Sequence, residues 1–116
     1  MSEDVQQTIR QQVDENPVIL YMKGTPQFPQ CGFSMKAAQA LAGCGVEFAY
    51  VNVLDDETIR QGIKEFGDWP TIPQLYVDGE LVGGCDIILE MYESGELEKS
   101  VQAAGQASSG EAAQQS

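Results

Sequence analysis

Three cysteines and no histidine set the range of chemistry open to this chain. Without imidazole there is no Ser-His or Cys-His catalysis and no self-supplied histidine ligand. Cys31 is the leading candidate for reactivity. It follows a stretch containing Pro26 and Pro29 and stands where a helix is expected to begin, in Cys31-Gly32-Phe33-Ser34. At a helix N-terminus the free backbone N–H groups and the helix dipole favour negative charge, so a thiol placed there becomes a reactive thiolate. Gly32 leaves room for another sulfur or a metal to approach. The alternative reading of Cys31 is a buried, inert thiol.

Ser34 occupies the place where a C-x-x-C motif carries its second thiol. An internal disulfide across that motif is therefore impossible, and Cys31 must resolve through an external thiol or a distant cysteine, or do other chemistry. Ser34 also reads simply as a polar residue of the first helical turn. Cys44 lies at the far end of the same expected helix, about 20 Å from Cys31, too far for a shared metal or a disulfide. It reads as a structural residue.

The elements that must position Cys31 are legible in outline. Residues 2–15 predict an amphipathic helix, with Ser2 as a possible cap, Val5, Ile9 and Val13 on one face, and Pro17 beyond its end. Val18-Ile19-Leu20-Tyr21-Met22 is a continuous apolar run, the pattern of a strand buried on both faces. The prolines exclude regular structure over 23–30. A helix follows from Cys31 to about Gly43. Phe48 to Val53 predicts a second strand. Asp55 and Asp56 can cap and charge a third helix carrying Ile59, Ile63 and Phe66. After a loop containing Trp69-Pro70-Thr71-Ile72-Pro73, Asp78-Gly79 between Gln74–Val77 and Glu80–Val82 predicts a hairpin. Cys85 reads as a loop residue and Asp86 as the opening of another helix, with a break at Ser94-Gly95 and a short helix over 96–104. From Gly105 onward the Ala, Ser, Gln and Gly mixture predicts a disordered tail, 105–116, outside a domain of 1–104. The order of elements implies an α/β fold with a four-stranded mixed sheet flanked by helices, its first two strands parallel through a right-handed crossover.

The 116 residues fit one domain with one core. The net charge is −12, from 18 acidic and 6 basic residues, which argues against nucleic acid and anionic membranes as general partners. No apolar run approaches the roughly 18 residues of a membrane span, and the acidic start Met1-Ser2-Glu3-Asp4 is unlike a signal peptide. An odd number of cysteines argues for a reducing, cytoplasmic setting. The charge is uneven. Lys23, Lys36, Arg60 and Lys64, four of the six bases, lie in the middle of the chain, whereas residues 73–116 hold Lys99 alone against eight acids.

Cys31-Gly32-Phe33-Ser34 resembles the active-site motif of monothiol glutaredoxins of the CGFS class. Lys23-Gly24-Thr25-Pro26, Trp69-Pro70-Thr71-Ile72-Pro73 and Gly83-Gly84-Cys85-Asp86 resemble the same family, in order and spacing, over about residues 5–100. The resemblance implies a thioredoxin-like fold with Pro73 in the cis form. It implies that Lys23 and Arg60 meet the carboxylates of glutathione and that the Ile72 backbone pairs with the tripeptide as an added strand. It also implies that the Cys85 amide and the Asp86 carboxylate hold the γ-glutamyl end. Asp86 reads equally as the N-cap of its helix, and the two roles are compatible. Phe33 and Trp69 read first as packing residues. Cys85 is a possible resolving thiol for Cys31.

Iron–sulfur clusters usually take four thiolate ligands. The resemblance implies that two chains each contribute Cys31 and that two glutathione thiolates complete the set around a dimer-bridging [2Fe–2S] cluster, which is passed to apo iron–sulfur acceptor proteins. It also implies pairing with a BolA-type protein, which would have to supply any imidazole. The other readings are a glutathione-dependent oxidoreductase acting on protein–glutathione mixed disulfides, and an adaptor with an inert thiol.

Overall fold

The computed structural model describes residues 2–105. The strand expected at 18–22 is β1, Val18–Met22, and all five of its residues are buried. They alternate between two cores, as the pleat requires. Val18, Leu20 and Met22 face one, and Ile19 and Tyr21 the other. β1 is thus the central plank of a four-stranded sheet in the order β2-β1-β3-β4, where β2 is Ala49–Asn52, β3 Gln74–Val77 and β4 Glu80–Gly83. β1 runs parallel to β2 and antiparallel to β3, and β4 is antiparallel to β3. This is the mixed sheet expected from the order of elements.

Helices cover both faces. On one side α1 (Ser2–Glu15) buries Ile9 and Val13 against α3 (Glu57–Gly67), which contributes Ile59 and Ile63. The two helices are so close at Gly62 that a Cβ there would strike the Val5 side chain, and the Gln6 amide donates to the Gly62 carbonyl at 2.9 Å. On the other side α2 (Gly32–Gly43), α4 (Cys85–Ser94) and α5 (Glu96–Ala103) enclose Ala37, Ala38, Leu41, Ile88, Leu97 and Val101. The alanines of α2 are buried in this core, and the helix packs against α4.

The hairpin turns at Asp78 and Gly79, with φ of 52° and 84°. Two successive left-handed residues make the tight turn that Asp-Gly favours. Several boundaries differ from expectation. β2 begins at Ala49 rather than Phe48, and Val53–Asp55 forms a short 3-10 helix. Asp55 therefore belongs to that turn. Asp56 alone caps α3, accepting from the N–H groups of Thr58 at 2.9 Å and Ile59 at 3.4 Å. The α4 helix begins one residue earlier than expected. Gly84 is its N-cap, Cys85 its first residue, and Asp86 an exposed first-turn acid, not the cap. Gly105 is buried, and its N–H donates to Asp78 Oδ1 at 3.0 Å. The Ser2 side chain and the tail beyond Gly105 lie outside the described residues, as do the roles expected for them.

Candidate functional site

The C-terminal ends of β1 and β2 and the loop before β3 converge on one region. β1 leads into Lys23 and a closed loop over residues 24–30. Gly24 has φ of 95°, and an added Cβ would meet the Gln30 N and the Phe28 O at 2.6 Å. Gln30 N–H donates to Lys23 O at 2.9 Å, and Thr25 and Phe28 exchange backbone bonds. Asn52, at the end of β2, fixes the loop from outside. Its Oδ1 accepts from the N–H groups of Gly24 at 2.8 Å and Leu54 at 3.0 Å. Asn52 was not singled out from sequence; a polar residue closing an apolar strand beside a turn was its only signal.

This loop delivers Cys31 to the N-cap of α2, as expected, with φ −150° and ψ 134°. Its carbonyl accepts from Met35 N–H at 2.9 Å and starts the helix. The Sγ makes no capping bond as a neutral thiol. The thiolate is favoured, first by the Ser34 N–H, and also by the Phe33 N–H, the Lys23 ammonium and the Ser34 hydroxyl, so the Cys31 pKa falls below that of an ordinary thiol despite partial burial. Cys31 is partly exposed and free, and the inert-thiol reading does not suit it. Ser34, by contrast, is fully buried, and its Oγ accepts from the Lys23 N–H at 3.0 Å. It is a fastening of the site rather than an incidental polar residue.

The other two thiols behave differently. Burial, then the charge of Glu98, pushes Cys44 up, and it sits at the C-cap of α2, consistent with a structural role. Cys85 is buried and its pKa is raised by burial, then by Asp86 and Cys31, with Lys36 opposing. Cys31, Cys85, Asp86 and Lys36 thus share one electrostatic neighbourhood.

A groove of about 220 Å³ lies next to these groups. Its walls are Phe33 from α2, Trp69, Thr71, Ile72 and Pro73 from the loop, and Gly84 to Ile87 at the start of α4. It therefore brings together Ile72, Cys85 and Asp86 of the expected site. Cys31, Lys23 and Arg60 are not among its lining residues. The Ile72–Pro73 peptide is cis. A Cβ on Gly84 would lie 3.1 Å from Trp69 Nε1 and 3.3 Å from Pro73 O, so a side chain there would crowd this wall. Trp69 and Phe33, read first as packing residues, both line the groove, and Phe33 is 59% exposed. Arg60, on α3, holds Glu57 Oε1 at 3.4 Å, while its Nε is buried with no partner.

A mixed sheet with helices on both faces, a cysteine capping the helix after β1 and a cis proline before β3 define the chain as thioredoxin-like. The chain belongs to the glutaredoxin family: the glutaredoxin family model matches residues 18–82. It is 58% identical over 91 residues to glutaredoxin 4 of Escherichia coli K12, covering 78% of this chain and 79% of that one. It is 57% identical over 89 residues to glutaredoxin 4 of Haemophilus ducreyi, covering 77% and 83%. Among solved structures it resembles reduced apo GrxS14 of poplar, with a TM-score of 0.73, 50% identity, and coverage of 84% and 90%. A truncated 1-C-Grx1 of Trypanosoma brucei superposes with a TM-score of 0.76 at 36% identity, covering 84% and 88%. Among the described residues, no helix is long and apolar enough to cross a membrane.

Proposed function

We propose that this chain is a monothiol glutaredoxin that binds glutathione and carries a [2Fe–2S] cluster between two copies of itself, delivering the cluster to apo iron–sulfur proteins in the cytoplasm. The observation that carries the reading is the partly exposed, thiolate-favouring Cys31, with no second thiol in its own motif, beside a groove. Among the described residues of one chain, no three His, Cys, Asp or Glu side chains gather into a metal site. In this reading the four thiolate ligands of the cluster are Cys31 from each of two chains and the thiols of two glutathiones. A partner of the BolA type would supply the imidazole that this sequence lacks.

The residues fit glutathione. The Arg60 side chain is 36% exposed with its terminal nitrogen only 3.4 Å from Glu57 Oε1, and a guanidinium so placed can donate charge-assisted hydrogen bonds to a carboxylate. Gly84 leaves the groove wall uncrowded beside Trp69 and Pro73. Lys23 and Arg60 would take the carboxylates, the Ile72 backbone would pair with the peptide, and the Cys85 N–H and Asp86 would hold the ammonium-bearing end. When bound, glutathione supplies a second thiolate. Cys31 supplies the protein thiolate, the α2 N-terminus keeps it deprotonated, and Ser34 holds that helix against Lys23.

The same lowered Cys31 pKa favours a second reading, glutathione-dependent reduction of mixed disulfides. There the Cys31 thiolate attacks the glutathione sulfur of a protein–glutathione disulfide and the protein thiolate leaves. A second glutathione thiolate then attacks the Cys31–glutathione bond, restoring Cys31 and releasing glutathione disulfide. Anaerobic reconstitution with iron, sulfide and glutathione separates the two. A visible chromophore that requires both Cys31 and glutathione, in a species of dimer mass, is expected. No chromophore together with rapid reduction of a glutathione mixed disulfide would overturn the carrier in favour of the oxidoreductase.

A further inference from the structure

Gln74 is one of two fully buried polar side chains among the described residues, with 0% exposure. It follows the cis proline and opens β3. Its amide nitrogen donates to the carbonyls of Trp69 at 2.9 Å and Thr71 at 3.2 Å. Its Oε1 accepts from the Tyr76 hydroxyl at 2.9 Å. Both N–H groups and the oxygen are therefore used, and each amide proton goes to a different point of one loop. That loop supplies Trp69, Thr71, Ile72 and Pro73 to the groove. A strand interior ordinarily takes an apolar side chain, and a buried amide is tolerated only when its hydrogen bonds are made. Here those bonds go to two carbonyls of the loop before β3.

The clamp is itself held. Tyr76 packs edge-on to Tyr21 at 5.8 Å and against Phe66 at 5.6 Å. The Tyr76 hydroxyl that donates to Gln74 occupies the space that Gly67 leaves by lacking a Cβ. The loop geometry is thus referred through Gln74 to the core between α1, α3 and the sheet.

We infer that Gln74 is a positioning residue for the groove: its amide sets the Trp69–Pro73 loop so that the Ile72 backbone and the Trp69 ring present a preformed wall to the ligand. The inference deepens the glutathione-binding reading and rests on it. A preformed wall avoids the ordering cost of a mobile one, so loss of the clamp weakens binding even in protein that remains folded.

Trp69 is the sole tryptophan of the sequence, so its emission reports the loop without any ligand. The test compares the wild type with Gln74→Met, Gln74→Glu and Tyr76→Phe, each well below its own Tm, using Trp69 fluorescence and the Kd for S-methylglutathione, which cannot exchange disulfides. Gln74→Met should shift Trp69 emission to the red, raise its quenching by iodide and weaken ligand binding at least tenfold. Gln74→Glu should bind weakly at neutral pH and recover part of its affinity as pH falls. A protonated buried carboxyl donates one of the two lost hydrogen bonds, whereas the carboxylate repels both carbonyls. Tyr76→Phe, which keeps both loop contacts but leaves Gln74 Oε1 without its donor, should lose stability and weaken binding less than Gln74→Met does. If Gln74→Met lowers Tm yet leaves emission, quenching and Kd unchanged, Gln74 is structural only and the inference fails. If the wild type itself does not bind S-methylglutathione, the functional reading fails, while unchanged or altered Trp69 quenching still decides whether Gln74 positions the loop.

Discussion

The backbone N–H of Lys23 donates to the Oγ of Ser34 at 3.0 Å, across the mouth of the loop that carries Cys31. The place that would hold a second thiol in a C-x-x-C motif is thereby used to fasten the start of α2 to the end of β1. A thiol in that place is a much weaker acceptor than a hydroxyl.

Ser34→Ala should destabilise the fold by about 1–3 kcal/mol, because it leaves a partly buried N–H without its acceptor. Chemical denaturation of the two proteins checks this. The same substitution should raise the Cys31 pKa, since the hydroxyl helps to hold the thiolate.

Cys31 should be alkylated by iodoacetamide with a pH midpoint below that of an ordinary thiol, and Cys44 and Cys85 with midpoints above it. The sign for stability follows from the lowered folded-state value. Ionisation of Cys31 stabilises the native state above the unfolded thiol pKa, and that contribution is lost as pH falls through the lower, native value. Lys23→Glu should move the Cys31 midpoint upward. Mass-resolved alkylation rates from pH 5 to 10 measure all three sulfurs at once.

Lys23→Glu and Arg60→Glu should each weaken glutathione binding by about tenfold or more, since each removes a charge-assisted hydrogen bond and adds repulsion. Combined Glu93→Gln, Glu96→Gln and Glu98→Gln should change it by less than about threefold, because exposed charges at a distance are screened. Calorimetric titration at two salt concentrations distinguishes local clamping from a bulk effect of the net charge.

Gly24→Ala should cost more than 1 kcal/mol and loosen the Cys31 loop, because φ of 95° is closed to alanine and its methyl would meet two backbone atoms. Thermal unfolding measures the loss. Cys31 alkylation in the folded variant should also lose part of its low-pH reactivity.

Mild oxidation with hydrogen peroxide should link Cys31 to Cys85, the Cys31 thiolate first forming a sulfenic acid that condenses with the Cys85 thiol and releases water. Peptide mapping of the non-reduced protein shows the linkage. Its absence, with Cys31 instead recovered as sulfinic acid, removes Cys85 as a resolving thiol.

The frame of the fold was readable because its signals are periodic or conformational. β1 is a run with no polar residue, so it must lie between two layers, and Asp78-Gly79 carries the two left-handed residues of a tight turn. Cys31 was readable because a loop closed by prolines must end before a helix starts. The start of α4 was misplaced for a physical reason. Gly84 and Asp86 are both acceptable helix openers, and a shift of one or two residues leaves the apolar pattern of Ile87, Ile88 and Met91 unaltered. Gln74 was passed over because strand periodicity does not register a polar residue whose partners are carbonyls of a preceding loop. A polar residue at the head of an otherwise apolar strand is the only trace it leaves in the sequence, and its burial is a property of the fold. The buried, unpartnered Nε of Arg60 is a matter of packing around α3 and has no trace in the sequence.

The hydrogen bond from Gly105 to Asp78 has a practical consequence for handling the protein. Because Val18 pairs with Val77 and Tyr21 with Gln74, the hairpin turn and Gly105 lie at one pole of the sheet, and the cis proline and Cys31 loop at the other. A linkage made close to Gly105 would therefore hold the protein at the pole remote from the groove. Held by that pole, the protein would turn its thiol and groove away from the surface.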